Sequence, residues 1–467
     1  FIKVMLHDPS AEIACIGPAG ENLVPYASVV SGRRSASRGG MGAVMGSKNL
    51  KAVVVKGTQT VPVADSAALR EALRVAVKET SESHMFHDLR EYGTAGTAGM
   101  FNEVGIVPAF NFREASRPEV RSMVGESARP FIRKAYACGE PCMVHCSKIT
   151  AVSEGLYKGV TQDGPEYDSW ASFGPITGTF ELAPVIYADL LADQYGLDSI
   201  STGVTIAFAM ECYERGLLTK ADTDGMELTW GNHALFERLI RAIAYREGFG
   251  GLLALGTKGM SEKIGQGSER FAMQCKGMEL GSYDPRAAKG TALVFAAGPR
   301  GGCHHAGGHT AIQECFSGRY DRFAESGKAE LVRYTRNRRV AIDSAIVCTF
   351  ASFAFSDQTI AALLQAATGD EWTVESLLEL GDKASDLERA FNVREGVTRA
   401  ADVLPARFLE ESVPAGSTKG SRVQDLDLML DEMYQACGWC KKTGIPTREK
   451  LEQDGFGWIA DDLWRDR

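Results

Sequence analysis

Residues 136–148, with the sequence YACGEPCMVHCSK, constrain this chain more than any other stretch, because they place three thiols within nine residues. Thiolates as dense as those of Cys138, Cys142 and Cys146 can converge on one inorganic centre, and a soft metal or an iron–sulfur cluster is the favoured interpretation. A structural zinc site usually uses two separate ligand pairs, and no second pair follows nearby in the sequence. The fourth ligand must therefore come from far along the chain, where Cys348 in AIDSAIVCTFASF is the candidate. Three buried free cysteines are the alternative, since thiols are ordinary core residues.

Length and composition limit the kind of protein this is. A chain of 467 residues exceeds a single core and should form two or three domains. The net charge of −9 argues against nucleic acid as a partner, and the weakly charged runs are too short to span a membrane. Eleven cysteines in this arrangement suit a reducing compartment, so we expect a cytoplasmic protein. Because the first residue is a phenylalanine inside an apolar segment, we expect an N-terminally incomplete copy of a longer protein.

A glycine-dense loop at residues 37–52, SRGGMGAVMGSKNLKA, indicates a ligand-binding backbone. Glycines at three positions allow close approach of a ligand and expose backbone N–H groups: Gly39, Gly40 and Gly42. Arg38 adds positive charge, so an anionic ligand that carries phosphate fits. The loop lacks the Gly-Lys-Ser/Thr ending of a Walker loop, and a plain turn is the alternative.

Helical periodicity dominates after residue 65, whereas residues 1–60 alternate short β-like runs with glycine turns. Two helices are predicted at 181–193 and 202–215. The junction between them contains Asp193, Gly196, Leu197 and Asp198, so it carries two carboxylates near helix ends. Carboxylates and free N–H groups at such a junction can reach a bound ligand. A purely capping role is the alternative interpretation.

Three histidines lie in a glycine-rich segment at residues 282–310. A buried imidazole among His304, His305 and His309 could move protons, and zinc or iron binding by the three is the alternative. A CxxC pair, Cys437 and Cys440, has no second pair nearby, so a structural role is favoured over a redox or zinc role.

Several stretches occur together and in order along nearly the whole chain. They are IGPAGENLV (16–24), SRGGMGAVMGSKNLKAV (37–53), GPEYDSWASFG (164–174), DQYGLDSIS (193–201), YDPRAAKG (283–290), RGGCHH (300–305), DSAIVC (343–348) and GWCKKTGIPTREKL (438–451). Together they resemble the aldehyde ferredoxin oxidoreductase family, whose members hold a tungsten bis-pyranopterin cofactor beside a 4Fe-4S cluster. The resemblance therefore implies a redox enzyme.

The resemblance also implies roles for individual residues. The cluster ligands would be Cys138, Cys142, Cys146 and Cys348. The pterin motif of the family, DxxGLD, is matched by Asp193, Gly196, Leu197 and Asp198, and its second copy begins at Asp343. Arg38, in the loop of Gly39, Gly40 and Gly42, would meet the cofactor phosphate or its magnesium.

His304 is similar to the family's active-site histidine, and the carboxylate beside the tungsten would be Glu166 or Asp168. The family's EYE sequence is here Glu166-Tyr167-Asp168, which leaves open which of the two carboxylates is the base. The cysteine triplet also differs, because it reads C-x3-C-x3-C where the family typically has C-x2-C-x3-C.

The fold implied by the resemblance is α+β and mostly α. Residues 1–60 would be the C-terminal part of a β-rich pterin-binding domain. A helical domain at 61–271 would carry the cluster cysteines and the DxxGLD motif, and a helical domain at 272–467 would carry His304 and the fourth cysteine. The cofactor is expected where the three pieces meet.

The function implied by the resemblance is oxidation of an aldehyde to a carboxylic acid. Tungsten or molybdenum held by the pterins would accept the electrons, and the 4Fe-4S cluster would pass them to ferredoxin or an electron-transfer subunit. A homodimer or a larger complex is expected. One alternative is the catalytic subunit of a related tungsten enzyme such as an aromatic acyl-CoA reductase, and another is an iron–sulfur electron-transfer subunit without tungsten.

Overall fold

The first part of the chain is a small antiparallel sheet with two short helices. In the computed structural model, which describes residues 8–139 and 142–465 apart from the side chain of His84, the strands are β1 (Glu12–Ile16), β2 (Val29–Ser31), β3 (Arg34–Ala36) and β4 (Ala52–Val55). They pair in the order β3-β2-β1-β4. The helices α1 (Pro18–Glu21) and α2 (Met41–Ser47) fill the connections. The β-like runs expected before residue 60 therefore form one sheet, whose glycine turns let the chain reverse over short distances.

Helices make up most of the remaining chain. The next ones are α3 (Ser66–Glu82), α4 (His84–Tyr92), α5 (Ala98–Glu103), α6 (Tyr167–Phe173), α7 (Leu182–Tyr195), α8 (Ser199–Glu214), α9 (Phe236–Tyr245), α10 (Gly250–Leu253) and α11 (Gly256–Ile264). The others are α12 (Gly290–Ala296), α13 (Ala311–Phe316), α14 (Ala329–Ser344), α15 (Thr349–Ser352), α16 (Asp357–Thr368), α17 (Val374–Arg394), α18 (Ala406–Glu410), α19 (Leu426–Cys437), α20 (Arg448–Gln453) and α21 (Gly457–Leu463). Short 3-10 helices occur at Thr94–Thr97, Pro118–Met123, Gly125–Ser127, Arg129–Phe131, Pro175–Thr177, His233–Leu235, Ser268–Phe271 and Arg399–Ala401.

A second sheet supports the cysteine triplet. Its strands are β5 (Ile132–Tyr136), β6 (Ser147–Ala151) and β7 (Thr161–Asp163), and they pair antiparallel in that order. Tyr136 pairs with Ser147, so the residues between them form the loop that carries Cys138, Cys142 and Cys146. A two-stranded ribbon, β8 (Gln274–Cys275) with β9 (Met278–Glu279), lies near the start of the last third of the chain.

The largest hydrophobic core joins segments from most of the chain, and three smaller clusters lie beside it. It runs from Ala19 in α1 to Trp439 after α19. Helices α7 and α8 lie at its centre, since both have buried residues around nearly their whole circumference. A helix that is apolar on every side is stable only inside a large core, which explains why their sequences lack a polar face.

The predicted fold class, α+β and mostly α, is confirmed, because helices account for 50% of the chain and strands for 8%. The domain limits at residues 60 and 271 stay predictions. The C-terminal segment contains the three helices α19, α20 and α21. The first of them, α19, ends at Gly438 in the left-handed conformation with φ 70°. Within residues 8–139 and 142–465, no helix is both long and apolar enough to cross a membrane.

Candidate active site

A cavity of about 350 Å³ lies where the N-terminal sheet meets the two helical parts of the chain. It gathers side chains that are far apart in the sequence. Carboxylates come from Asp163, Glu166, Asp168, Asp189 and Asp193, imidazoles from His304, His305 and His309, and aromatic rings from Phe101, Tyr167, Tyr283, Phe350 and Phe353. The cavity therefore contains both proposed acid/base carboxylates, the proposed histidine and one pterin-motif aspartate.

One carboxylate of the cavity contacts the histidine directly. Asp168 Oδ2 lies 3.4 Å from His304 Nε2, and Asp168 Oδ1 accepts a hydrogen bond of 2.8 Å from the backbone N–H of Ser282. Burial lowers the pKa of His304 well below its ordinary value, and the nearby charges of His309 and Arg38 lower it further. The imidazole is therefore neutral at pH 7 and can donate one proton and accept another.

The other carboxylate, Glu166, is turned away from this pair. Its Oε1 lies 3.3 Å from Arg34 Nη1, and its Oε2 accepts a hydrogen bond from the Thr94 hydroxyl. Its side chain is 38% exposed, whereas that of Asp168 is 19% exposed. Glu166 is thus occupied by Arg34 and Thr94, whereas Asp168 faces His304, so the geometry favours Asp168 over Glu166 as the acid/base residue.

The glycine loop is shaped partly by contacts within the chain. A Cβ atom at Gly40, where φ is 70°, would come 2.0 Å from the carbonyl oxygen of Pro25. A Cβ atom at Gly42 would come 2.5 Å from the carbonyl oxygen of Ser28. A Cβ atom at Gly39, where φ is 99°, would have no other atom within 4 Å. Packing thus explains Gly40 and Gly42, and Gly39 is the glycine of the three that leaves room for a ligand.

Arg38 connects this loop to the DxxGLD motif. Its Nε lies 3.1 Å from Asp198 Oδ2, and its guanidinium also donates to the carbonyl oxygen of Glu279. Asp198 is also the N-cap of α8, where it accepts hydrogen bonds from the N–H groups of Ile200 (3.0 Å) and Ser201 (3.3 Å). The capping role considered for Asp198 is therefore present, and the same carboxylate orients Arg38.

The rest of the motif shapes the helix junction. Gly196 ends α7 in the left-handed conformation with φ 70°, and Leu197 forms a backbone bridge with Ala27 of the N-terminal segment. These residues tie the motif to the loop that carries Arg38. Their predicted cofactor contacts stay a prediction.

Asp193 shares a hydrogen-bond donor with a second buried carboxylate, Asp189. The Nε2 of Gln162 donates to Asp193 Oδ2 at 2.7 Å and to Asp189 Oδ2 at 3.1 Å. Burial raises the pKa of both carboxyl groups, that of Asp189 well above its ordinary value. Asp189 was not predicted, although its spacing of four residues from Asp193 places both on one face of α7.

Asp343, the start of the second motif copy, does not lie in this cavity. It is exposed near the end of α14 and lines a separate cavity of about 610 Å³ together with Arg300 and Glu388. Arg300 also donates to the thiol of Cys303 at 3.2 Å, next to His304. Asp193 and Asp343 therefore line different cavities. Arg300, which lies just before Cys303 and His304 in the sequence, lines the cavity of Asp343.

Two of the predicted cluster cysteines lie against an apolar cluster. Cys142 and Cys146 pack against Phe86, Leu89 and Val144, and so do Phe350 and Phe353, two rings that also line the first cavity. All eleven cysteines are free, and Cys348 is exposed. Burial raises the pKa of the Cys146 thiol to about 12, and smaller contributions come from Glu166 and from the thiols of Cys138 and Cys348. Cys146 is thus close enough to Cys138 and Cys348, two of the other three proposed ligands, to interact with them electrostatically.

Lys148, next to the triplet, was missed by sequence reasoning. Its ammonium donates to the carbonyl oxygens of Leu89 (2.9 Å), His145 (2.8 Å) and Cys146 (3.0 Å). Burial lowers its pKa to about 8. The bonds anchor the end of the cysteine loop on α4, and only the position of a lysine two residues after the last cysteine could have suggested this.

Orphaned polar atoms show that the site fits a large polar ligand. Within the described residues, several buried side-chain atoms of the first cavity's lining, or of residues next to it in sequence, have no hydrogen-bond partner, among them Arg34 Nε, Arg38 Nη1, Asp163 Oδ1, Ser282 Oγ and His304 Nδ1. Buried polar groups in native proteins are nearly always satisfied, so a ligand rich in acceptor and donor atoms is the expected partner. A pterin with its phosphates has this chemistry.

The donor set for a metal is more selective. Across residues 8–139 and 142–465, no three His, Cys, Asp or Glu side chains are placed to share a single ion, so zinc binding by His304, His305 and His309 gains no support. Free thiols from separate segments fit an iron–sulfur cluster, because each thiolate in it binds a different iron atom.

Comparison with known proteins identifies the family. The family model for aldehyde ferredoxin oxidoreductase domains 2 and 3 matches residues 71–456, and the model for the N-terminal domain matches residues 2–57. The chain belongs to the aldehyde ferredoxin oxidoreductase family. The resemblance inferred from the motifs is thereby confirmed. The chain is an enzyme of this oxidoreductase type, and the family implies a tungsten–pterin cofactor.

Individual relatives differ in their named activities. The tungsten-containing aldehyde ferredoxin oxidoreductase of Pyrococcus furiosus is 38% identical over 466 residues, which are 97% of this chain and 75% of the relative. The WOR-like subunit of an aliphatic sulfonate oxidoreductase from the same organism is 34% identical and covers 95% of this chain and 70% of that protein. Among solved structures, the active-site complex of benzoyl-coenzyme A reductase with 1,5-dienoyl-CoA matches with a TM-score of 0.81 and 24% identity. It covers 99% of this chain and 76% of that chain, and at this identity it supports the fold alone.

Proposed function

We propose that this aldehyde ferredoxin oxidoreductase family member oxidises an aldehyde to a carboxylic acid and passes the electrons to ferredoxin through a 4Fe-4S cluster. The observation that carries the proposal is the contact of 3.4 Å between Asp168 and the neutral His304 inside the cavity. A carboxylate beside a neutral imidazole can remove a proton from water or substrate and hold the substrate oxygen in place.

The chain's own residues have separate tasks in this proposal. Asp168 acts as the base that takes a proton from the attacking water. His304 donates a hydrogen bond to the aldehyde oxygen, where negative charge develops. The rings of Tyr167 and Tyr283, with centroids 5.1 Å apart, form an apolar wall that excludes bulk water from the reacting atoms.

Binding of the cofactors uses the residues around these groups. Pterin and phosphate would be held by Arg38, Gly39, Asp193, Gly196, Leu197, Asp198 and Asp343, with magnesium at the phosphates, and Gly40 and Gly42 would shape the loop that presents Gly39. The cluster would be held by Cys138, Cys142, Cys146 and Cys348. When bound, tungsten in its dithiolene ligands supplies the ability to accept a pair of electrons, which the cluster transfers singly. Phe350 and Phe353 contribute a wall to the cavity and pack on the cysteine loop, so the two centres would be neighbours.

Ferredoxin as acceptor, a homodimer or a larger complex, and a cytoplasmic location complete the proposal. Support for the location comes from the eleven free cysteines, which suit a reducing compartment.

The test compares three variants in protein purified without oxygen and assayed with aldehydes and a viologen dye. Asp168→Asn and His304→Gln should each lower kcat by about 10² to 10⁴, the usual contribution of a positioned acid or base. Glu166→Gln, the matched control, should change kcat far less. Full activity of Asp168→Asn or His304→Gln with normal tungsten content would eliminate the assignment, and a large loss in Glu166→Gln alone would transfer the base role to Glu166.

A second candidate is reduction of an aromatic acyl-CoA, favoured by the fold shared with the benzoyl-coenzyme A reductase complex. Arg33 is exposed at the cavity and offers positive charge to a CoA-type substrate. Reduction of an aryl-CoA by a low-potential donor, together with no oxidation of any aldehyde, would establish this candidate in place of the first.

A further inference from the structure

A second cavity of about 390 Å³ adjoins the first one. It is polar, with walls that include Gln313, Tyr334, Arg338, Ser356 and Asp357. Two residues line both cavities, His309 and Phe353. Of these two, only His309 carries a group that can accept and release a proton.

The second cavity leads to the surface. Tyr334 is 43% exposed, and its hydroxyl donates to Asp357 Oδ2 at 2.8 Å. Arg338 holds the other oxygen of Asp357 with an Nε to Oδ1 distance of 2.5 Å. The outer wall is therefore an ordered set of polar groups that suits water molecules rather than an apolar ligand.

The ring of His309 stands between this cavity and the Asp168–His304 pair. Its centroid is 5.4 Å from that of His304, with the two rings perpendicular, and 4.6 Å from that of Tyr283. The pKa of His309 is lowered to about 4, mainly by burial. The positive charge of Arg339 also lowers this pKa, whereas the negative charge of Asp168 opposes the shift. His309 is thus neutral at pH 7, like His304.

We propose that His309 is a proton-relay residue and that the second cavity is the route by which protons leave the active site. This inference rests on the proposed function. Oxidation of an aldehyde with water to a carboxylic acid releases two protons and two electrons, and the electrons leave through the metal centres to ferredoxin. The protons pass from Asp168 and His304 to His309, and then to water in the second cavity.

The geometry explains why a second route is needed. An aldehyde bound in the first cavity occupies the space beside His304, so protons require a path that the substrate does not block. The ring centroids of His304 and His309 are 5.4 Å apart in an edge-to-face arrangement, so His309 is the imidazole that lies directly between His304 and the second cavity.

The test replaces His309 with Phe, which keeps a ring but removes both nitrogens, and with Gln, which is closer in size and serves if the Phe variant does not fold. We expect kcat for aldehyde oxidation to fall about 10²-fold in His309→Phe with unchanged iron and tungsten content. Imidazole added to the assay should restore most of the loss, because it can enter the second cavity. In a single turnover of His309→Phe, proton release reported by a pH indicator should lag behind reduction of the enzyme.

The matched control is His305→Phe. His305 packs against His304 with ring centroids 4.4 Å apart but, of the two cavities, lines only the first, so imidazole should not restore the rate of the His305 variant, whatever its starting value. Unchanged kcat in both His309 variants, or a loss that imidazole does not restore while proton release stays in step with reduction, would overturn the relay. Failure of the wild type to oxidise any aldehyde would instead reject the proposed function, so the two failures are distinct.

Discussion

The pair of Arg38 and Asp198 gives the sharpest quantitative prediction. The side chain of Asp198 is only 2% exposed and has two roles. Its Oδ2 lies 3.1 Å from Arg38 Nε, and it caps the N-terminus of α8. Asp198→Asn keeps an N-cap acceptor of equal quality but removes the charge, and breaking one side of a buried pair costs about 3 to 5 kcal/mol. Because Glu279 is also close to Arg38, we expect the lower end, about 3 kcal/mol. Asp198→Ala also loses the cap, which adds about 1 kcal/mol.

The assay is thermal unfolding of the cofactor-free protein at neutral pH. The melting temperature should fall in the order wild type, Asp198→Asn, Asp198→Ala, with the larger step between the first two. Tungsten content after expression should follow the same order, because Arg38 loses its orientation in both variants. Equal melting temperatures for wild type and Asp198→Asn, with a drop only in Asp198→Ala, would refute the ion-pair argument and leave Asp198 a helix cap.

Three further predictions concern the cysteines, the buried acids and the lysine. Cys146→Ser should lose iron and the cluster's electron paramagnetic resonance signal, whereas Cys437→Ser should keep both. Asp189 has a raised pKa in the folded state, so folding takes up a proton and stability falls as pH rises above about 4. Asp189→Asn should therefore raise the melting temperature at pH 7 but not at low pH, and an equal gain at both would contradict this. Lys148→Met removes the ammonium that ties the carbonyl groups of His145 and Cys146 to that of Leu89 and should lower the iron content, whereas Lys148→Arg should retain more iron.

Local chemistry is what the sequence revealed well. Cys138, Cys142 and Cys146 are visible because they are neighbours in the chain, and the helices around the DxxGLD motif begin and end within a few residues of the predicted limits. Gly196 and Asp198 could be read in advance as a helix end and a helix start, because these residue types have strong conformational preferences there.

Contacts between distant segments could not be predicted from the sequence. Nothing in the motif EYD distinguishes Asp168 from Glu166, because the distinction arises from the packing of α6 against the segments of Ser282 and His304. Burial of Lys148 contradicts the usual exposure of lysine and is compensated by three carbonyl groups that only folding brings together. The second cavity behind His309 likewise exists only once α13, α14 and α16 are in place.

The most direct test of the central claim is the metal content of the protein purified without oxygen. Tungsten, molybdenum, iron and zinc should be measured per chain on the same sample. The account predicts about four iron atoms and one tungsten per chain, as expected for one 4Fe-4S cluster beside one mononuclear site. Iron without tungsten or molybdenum would contradict the oxidoreductase proposal and indicate an electron-transfer protein, and zinc alone would overturn the assignment of Cys138, Cys142, Cys146 and Cys348.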